Sequence, residues 1–238
     1  MSKQNKNDSA DSIEYKIIII GDMSVGKTSI TVRYTKKEYN ENNLSTIGTD
    51  IYYKYISDDQ HKNNIKVKII DTAGQERYRT LVASYYKNAE GVLIVYSVDP
   101  NERERSIEGI LVWLNSLIQN GDNNVKNIPL FIVANKIDLL SDKNTKEGIH
   151  NEFLNTVEHL LQSNNTDYNF TFDEIKKIDF YICSAKSDEN VDAIFIDMLE
   201  KMQGFWKKTL ETTQKKSEIK IENVTRNKKT KCCLGHKD

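Results

Sequence analysis

The chain has 238 residues, 38% hydrophobic and 29% charged, with 34 Lys/Arg against 35 Asp/Glu and a formal net charge of −1. That length suits one α/β domain with a tail, and the near-neutral balance excludes a chain that is basic throughout and held to nucleic acid by charge. No apolar run approaches the ~18 residues that span a bilayer; with the polar stretch Met1–Asn7 and Ser at position 2, neither entry into the secretory lumen nor N-myristoylation is expected.

Residues 1–12 are polar and are expected to stay disordered. Tyr15–Ile20 reads as a fully buried strand. It runs into Gly21-Asp22-Met23-Ser24-Val25-Gly26-Lys27-Thr28, which has the P-loop spacing G-x-x-x-x-G-K-[ST], and Ser29–Tyr34 continues as a helix. Inward backbone amides and the positive end of the following helix favour an anion there, so the chain is expected to bind a nucleotide. Thr46-Ile47-Gly48 lies in a polar loop. Ile51–Ile56 is a strand candidate, and Asp58–Asn64 turns it into the apolar run Ile65–Ile70. Asp71-Thr72-Ala73-Gly74-Gln75-Glu76-Arg77-Tyr78 follows. A carboxylate at the end of a buried strand beside a P-loop is suited to organise Mg²⁺.

Gly91–Val98 is the next strand. In Ser106–Gln119, Ile107, Ile110, Leu111, Leu114, Leu117 and Ile118 recur at helical spacing. The strand Pro129–Ala134 leads into Asn135-Lys136-Ile137-Asp138. A helical stripe in Asn151–Leu161 (Phe153, Leu154, Val157, Leu160, Leu161) precedes Gln162–Lys177, whose polarity reads as a surface insertion. Phe180–Ser184 is a strand holding Cys183 as a buried thiol, and Ser184-Ala185-Lys186 follows its end. Val191–Trp206 closes the pattern as a helix. Alternating strands and helices predict an α/β fold of the P-loop NTPase class, with a six-stranded, mostly parallel sheet covered by helices on both faces. Residues 207–238 hold ten Lys/Arg against four Asp/Glu and form a flexible basic tail carrying Cys232-Cys233. Three cysteines so placed make no disulfide framework and suit a reducing cytosol.

The order of these motifs at strand ends resembles the Ras superfamily of small GTPases. The Asp71–Thr80 string, Thr46-Ile47-Gly48 and Tyr85-Tyr86 before a Gly91-led strand resemble its Rab branch. The resemblance covers residues 13–206 as the GTPase domain, with insertions near 57–64 and 141–179. It implies GTP/GDP and Mg²⁺ as ligands and slow GTP hydrolysis. Ser24, Val25, Gly26, Lys27, Thr28 and Ser29 would cradle phosphates, with Lys27 reaching the β- and γ-phosphates. Thr28 and, in the triphosphate state, Thr46 would ligate Mg²⁺, and Asp71 would hold it through water. The Gly74 amide would bond the γ-phosphate, where a side chain would obstruct. Asp138 would accept two hydrogen bonds from guanine, a pair adenine cannot donate. Asn135 would tie the loops near the base, the Lys136 stem would cover the ring, and Ser184, Ala185 and Lys186 would complete the base site, the Ala185 amide donating to the guanine carbonyl. Tyr39 would close over the base. Gln75 would orient the attacking water, and it and Lys27 are the catalytic candidates.

The same resemblance implies an exchange factor, a GTPase-activating protein, effectors reading residues 40–51 and 72–86, a prenyl-protein chaperone and a membrane surface met by the tail, with no nucleic acid and a monomeric state. The protein would be cytoplasmic and reversibly placed on the cytosolic face of an endomembrane, in vesicle traffic. Three departures stand out. Met23-Ser24 replace a small residue and a glycine, which predicts slowed or altered hydrolysis. Ile51 and Ile70 occupy two places of an exposed aromatic triad of which only Tyr85 is aromatic, predicting a different effector set. Five residues follow Cys232-Cys233, so the pair is no C-a-a-X box, yet its lipidation is expected. The alternatives are a hydrolysis-impaired GTP-binding scaffold, a Ran-like transport GTPase and, against Asn135-Lys136-x-Asp138, a generic P-loop ATPase.

Overall fold

The computed structural model describes residues 12–41, 45–58, 63–122, 127–140, 145–163 and 168–204. The expected N-terminal extension (residues 1–11), most of the Asp58–Asn64 turn, and the tail with Cys232-Cys233 lie outside them. Two compact units divide the chain, 1–199 and 200–238. Of the second, only residues 200–204 are described, and they are helical.

Six strands form one sheet: β1 (Ser12–Ile20), β2 (Thr49–Asp58), β3 (Asn63–Thr72), β4 (Gly91–Ser97), β5 (Leu130–Asn135) and β6 (Asp179–Ile182). Their order is β2-β3-β1-β4-β5-β6. Only the β2–β3 pair is antiparallel; the other four pairings are parallel. The central parallel strands become apolar without alternation where helices cover both faces, whereas Ile65-Lys66-Val67-Lys68 of β3 alternates buried and half-buried residues. Ile17–Ile20 and Val92–Val95 are all fully buried. The strand order reverses at β1, which lies between β3 and β4. Such a reversal opens a crevice beyond the carboxyl ends of the strands, where this class of sheet binds ligands.

The helices are α1 (Lys27–Lys36), α2 (Arg79–Ala83), α3 (Arg103–Asn120), α4 (Lys146–Ser163), α5 (Phe172–Ile175) and, closing the first unit, α6, helical over 191–199. The α3 stripe is buried as its spacing predicts, except that Ile118 is only half-buried and Trp113 joins the core. In α4, Ile149, Phe153, Val157 and Leu160 face inward, while Leu154 and Leu161 lie at the margin. α1 ends where Lys37 turns left-handed, with Arg33 and Lys36 placed against the negative end of the helix dipole.

Two sequence expectations change. Strand pairing begins at Ser12, which meets Asn64, so the ordered domain starts one residue earlier than the polar extension implied. The stretch Gln162–Lys177 is not merely a surface insertion. Thr171 and Glu174 form a reciprocal capping box that starts α5, and Phe170 and Ile175 are buried in the main core. Its polar composition hid those two anchors, because a single turn of helix carries too little periodicity to read.

Phe153 packs against Tyr96 and Phe180, with ring centroids 5.5 and 5.4 Å away, and is fully buried. Phe153→Ala is expected to lower unfolding stability by about 3–5 kcal/mol in a urea titration.

Candidate functional site

A cleft of about 360 Å³ opens at the carboxyl ends of the parallel strands. All the candidate site residues line it except Val25, Asp71 and Ser184, which lie directly beneath. The P-loop forms its floor. Gly21 and Gly26 have φ of 142° and 96°; a Cβ would lie 2.3 Å from the Val95 carbonyl at the first and 2.2 Å from Asn135 Nδ2 at the second. Lys27 is buried, and its Nζ donates to the carbonyls of Gly21 (2.9 Å) and Asp22 (2.6 Å). Burial lowers its pKa to about 8, against the opposing pull of Asp71 and Asp22. A phosphate would restore the compensation this ammonium lacks.

The parallel register of β1 and β3 sets Ile19 beside Asp71, so the carboxylate emerges next to the loop. Thr28 Oγ1 donates to Asp71 Oδ2 at 2.6 Å and lies 3.0 Å from Thr46 Oγ1. Asp71 Oδ1 is buried with no hydrogen-bond partner, and burial raises the Asp71 pKa to about 6, Thr28 and Lys27 opposing. Two hydroxyls and a carboxylate with an orphaned oxygen are hard oxygen donors, few in number. They fit a Mg²⁺ that completes its shell with phosphate and water.

At the other end, Asn135 is a cross-tie. Its Nδ2 donates to Val25 O at 2.9 Å, and its Oδ1 accepts from the Ala185 amide (3.2 Å) and the Cys183 thiol (3.5 Å). Cys183 is fully buried, and burial pushes its thiol pKa up. The Ala185 N–H, expected to face the base, is thus already engaged. Ser184 is not a direct cleft residue: its hydroxyl donates to Asp138 Oδ1 at 2.5 Å and fixes that carboxylate. Lys136 turns left-handed (φ 72°) and its Nζ reaches Glu102 at 3.2 Å. Tyr39 lines the cleft, half exposed.

Several residues escaped the sequence reading. Arg33 donates from Nε to Ala185 O (2.8 Å) and from Nη2 to Lys186 O (3.0 Å), with its guanidinium 5.7 Å from the Tyr39 ring centre. Lys186 pairs with Glu41 at 2.7 Å. Trp113 Nε1 donates to Asp22 Oδ1 at 2.8 Å, which anchors the P-loop to α3. No local signal separates Arg33 from its neighbour Lys36; only the carbonyls within its reach do.

The switch side brings further changes. Gly74 faces the P-loop so closely that a Cβ would lie 2.4 Å from the Met23 amide nitrogen, so loop packing already requires a glycine there. Ser24 occupies the left-handed region (φ 64°), which explains why glycine suits this position. Ile70, expected to be exposed with Ile51, is buried: it lies on β3 between Ile18 of β1 and Ile51 of β2, in the same core cluster as Ile18 and Val82. Exposed instead are Ile47, Ile51 and Leu81, with Tyr53 and Tyr55 following Ile51 on β2. Residues 42–44 of the first switch segment lie outside the described residues. Gln75 Nε2 lies 3.7 Å from Met23 Sδ, and Gln75 Oε1 accepts from Arg77 Nε at 2.6 Å.

Fold and cleft together define a P-loop nucleotide-binding protein with a carboxylate held in place on the cleft wall. The Ras family model matches residues 16–204. The chain is 30% identical to "GTP-binding protein YPTM2" of Zea mays, over 92% of its own length and 95% of that protein's. It is also 30% identical to "Ras-related protein Rab-13" of Rattus norvegicus (93% and 96%), and 34% identical to "Ras-related protein Rab-11A" of Dictyostelium discoideum (78% and 74%). The chain belongs to the Ras family and is a Rab-type small GTPase.

Arg33→Ala is expected to speed GDP release by about ten-fold, since two charge-assisted hydrogen bonds to the base-side loop are lost; release of a fluorescent GDP analogue checks this. Ser24→Gly is expected to stabilise the GDP-bound protein by about 1 kcal/mol by relieving left-handed strain, read as a higher thermal midpoint.

Proposed function

We propose that the chain is a GTP-driven switch of vesicle traffic, with the cleft residues acting as follows. The P-loop amides and Lys27 hold the β- and γ-phosphates. Thr28 and Thr46 would ligate Mg²⁺ and Asp71 would hold it through water, where a bound divalent cation would supply charge neutralisation to the phosphates. Gln75 orients the attacking water. With little covalent chemistry for the protein to do, intrinsic hydrolysis is slow, on the order of 10⁻⁴ to 10⁻² s⁻¹, the general scale for Ras-type phosphoryl transfer. Thr46 and Gly74 grip their loops only while a γ-phosphate is bound, so hydrolysis releases both. Effectors, an exchange factor and a GTPase-activating protein read those loops.

The observation that carries this reading is the fixed Asp138 carboxylate on the same cleft as Lys27, Thr28 and Thr46. One oxygen is held by Ser184, so the group is oriented toward a ligand bearing two adjacent donors. Guanine presents an N1–H and a 2-amino group; adenine leaves the carboxylate unpaired. Among the described residues no helix is long and apolar enough to cross a membrane. Recruitment to the cytosolic face of an endomembrane would therefore rest on the basic tail and lipids on Cys232 and Cys233, delivered by a prenyl-protein chaperone.

Competition binding in magnesium buffer tests the core of this. GDP is expected to displace a fluorescent guanine nucleotide at least 10³-fold better than ADP, the scale of leaving such a polar group unpaired. Asp138→Asn, which replaces an acceptor by a donor, is expected to reverse the preference toward a xanthine nucleotide. Equal displacement by ADP and GDP would sink the reading.

A further inference from the structure

Met23 stands at the mouth of the cleft, 52% exposed, with its thioether sulfur 3.7 Å from Gln75 Nε2. Arg77 takes the other end of the same amide at 2.6 Å. The side chain that orients water is therefore held at both ends, one of them by a weak sulfur acceptor. The chain has four methionines. Met198 and Met202 are fully buried, and Met1 lies outside the described residues. Met23 is thus the one described thioether open to an oxidant in solution, and it touches the reacting machinery.

We propose that Met23 is a site of reversible oxidation to the sulfoxide, and that this modification slows GTP hydrolysis by tightening the hold on Gln75. The inference rests on the assignment of Gln75 as the water-orienting residue. The oxidant is a hydroperoxide. A sulfur lone pair attacks one peroxide oxygen; the S–O bond forms as the O–O bond breaks. Sulfur is oxidised by two electrons, and the departing oxygen takes a proton and leaves as water or alcohol. The product oxygen is a stronger hydrogen-bond acceptor than the thioether it replaces, and set at an angle to the present sulfur contact it lies within hydrogen-bond reach of Gln75 Nε2. Gln75 must then break a firmer bond before its amide can turn to the water. The base end of the cleft, with Asp138 and Asn135, is not touched. A thiol-dependent sulfoxide reductase would restore the thioether.

The test uses the full chain loaded with GTP. A limiting dose of hydrogen peroxide is applied, peptide mass spectrometry follows one added oxygen on Met23, and single-turnover hydrolysis is measured. The oxidised protein is expected to hydrolyse about five-fold more slowly, the effect of one added hydrogen bond to overcome. Sulfoxide reductase should restore the rate, and peroxide should not change the rate of Met23→Leu. Stoichiometric oxidation of Met23 with an unchanged rate would overturn the proposal, as would an equal slowing of Met23→Leu or resistance of Met23 to oxidation. Failure of the untreated protein to bind or hydrolyse GTP at all would instead strike at the GTPase reading beneath it.

Discussion

The parallel pairing of β1 with β3 is the constraint on which the rest depends. It is held by two runs of buried β-branched residues whose register sets Ile19 beside Asp71. A slip by one residue would turn every apolar side chain of β1 to the opposite face and carry Asp71 away from Thr28. The register therefore fixes the core and the placing of Asp71 beside Thr28 with the same set of contacts. Because β1 is central, its carboxyl end opens where strand order reverses, and the P-loop has space to turn outward into α1.

A second layer of order joins segments remote in sequence. Asn135 links the P-loop to the loop after β6, Arg33 links α1 to that same loop, and Trp113 links α3 to Asp22. Each is a hydrogen bond made in a partly or wholly buried setting, where an unpaired group is costly. Together they make the base end of the cleft a preassembled frame. The phosphate end holds unresolved charge instead: a buried ammonium with its pKa pulled down, and a carboxylate with its pKa pushed up and one oxygen unpaired.

The departures from the Rab pattern acquire physical meaning in this frame. Ser24 sits in a conformation that glycine adopts freely, and Met23 contacts the side chain expected to orient water. The two substitutions therefore differ in what they touch: one changes backbone conformation, the other meets the Gln75 side chain. With Ile70 buried, the exposed apolar residues here are Ile47, Ile51 and Leu81, and on the same strand as Ile51 the exposed rings of Tyr53 and Tyr55 add edges and hydroxyls that an aliphatic side chain lacks.

Much of the fold and cleft was legible because its signals are local. Apolar runs, helical stripes and the spacing of Gly26-Lys27-Thr28, Asp71 and Asn135–Asp138 are each readable within a short window. The anchors Phe170 and Ile175 were not, since one helical turn has no period to detect, and neither was the burial of Ile70, since a strand residue looks the same whether its face is open or covered. By itself the sequence determined the class of fold and the position of the glycine-rich loop, because backbone geometry and residue chemistry at fixed spacing leave few other uses for them. Only the tertiary structure decided that Ser184 orients Asp138, that Arg33 fastens the base-side loop and that Met23 meets Gln75. Those are contacts between segments 46, 152 and 52 positions apart, and chain packing alone brings them within hydrogen-bond reach.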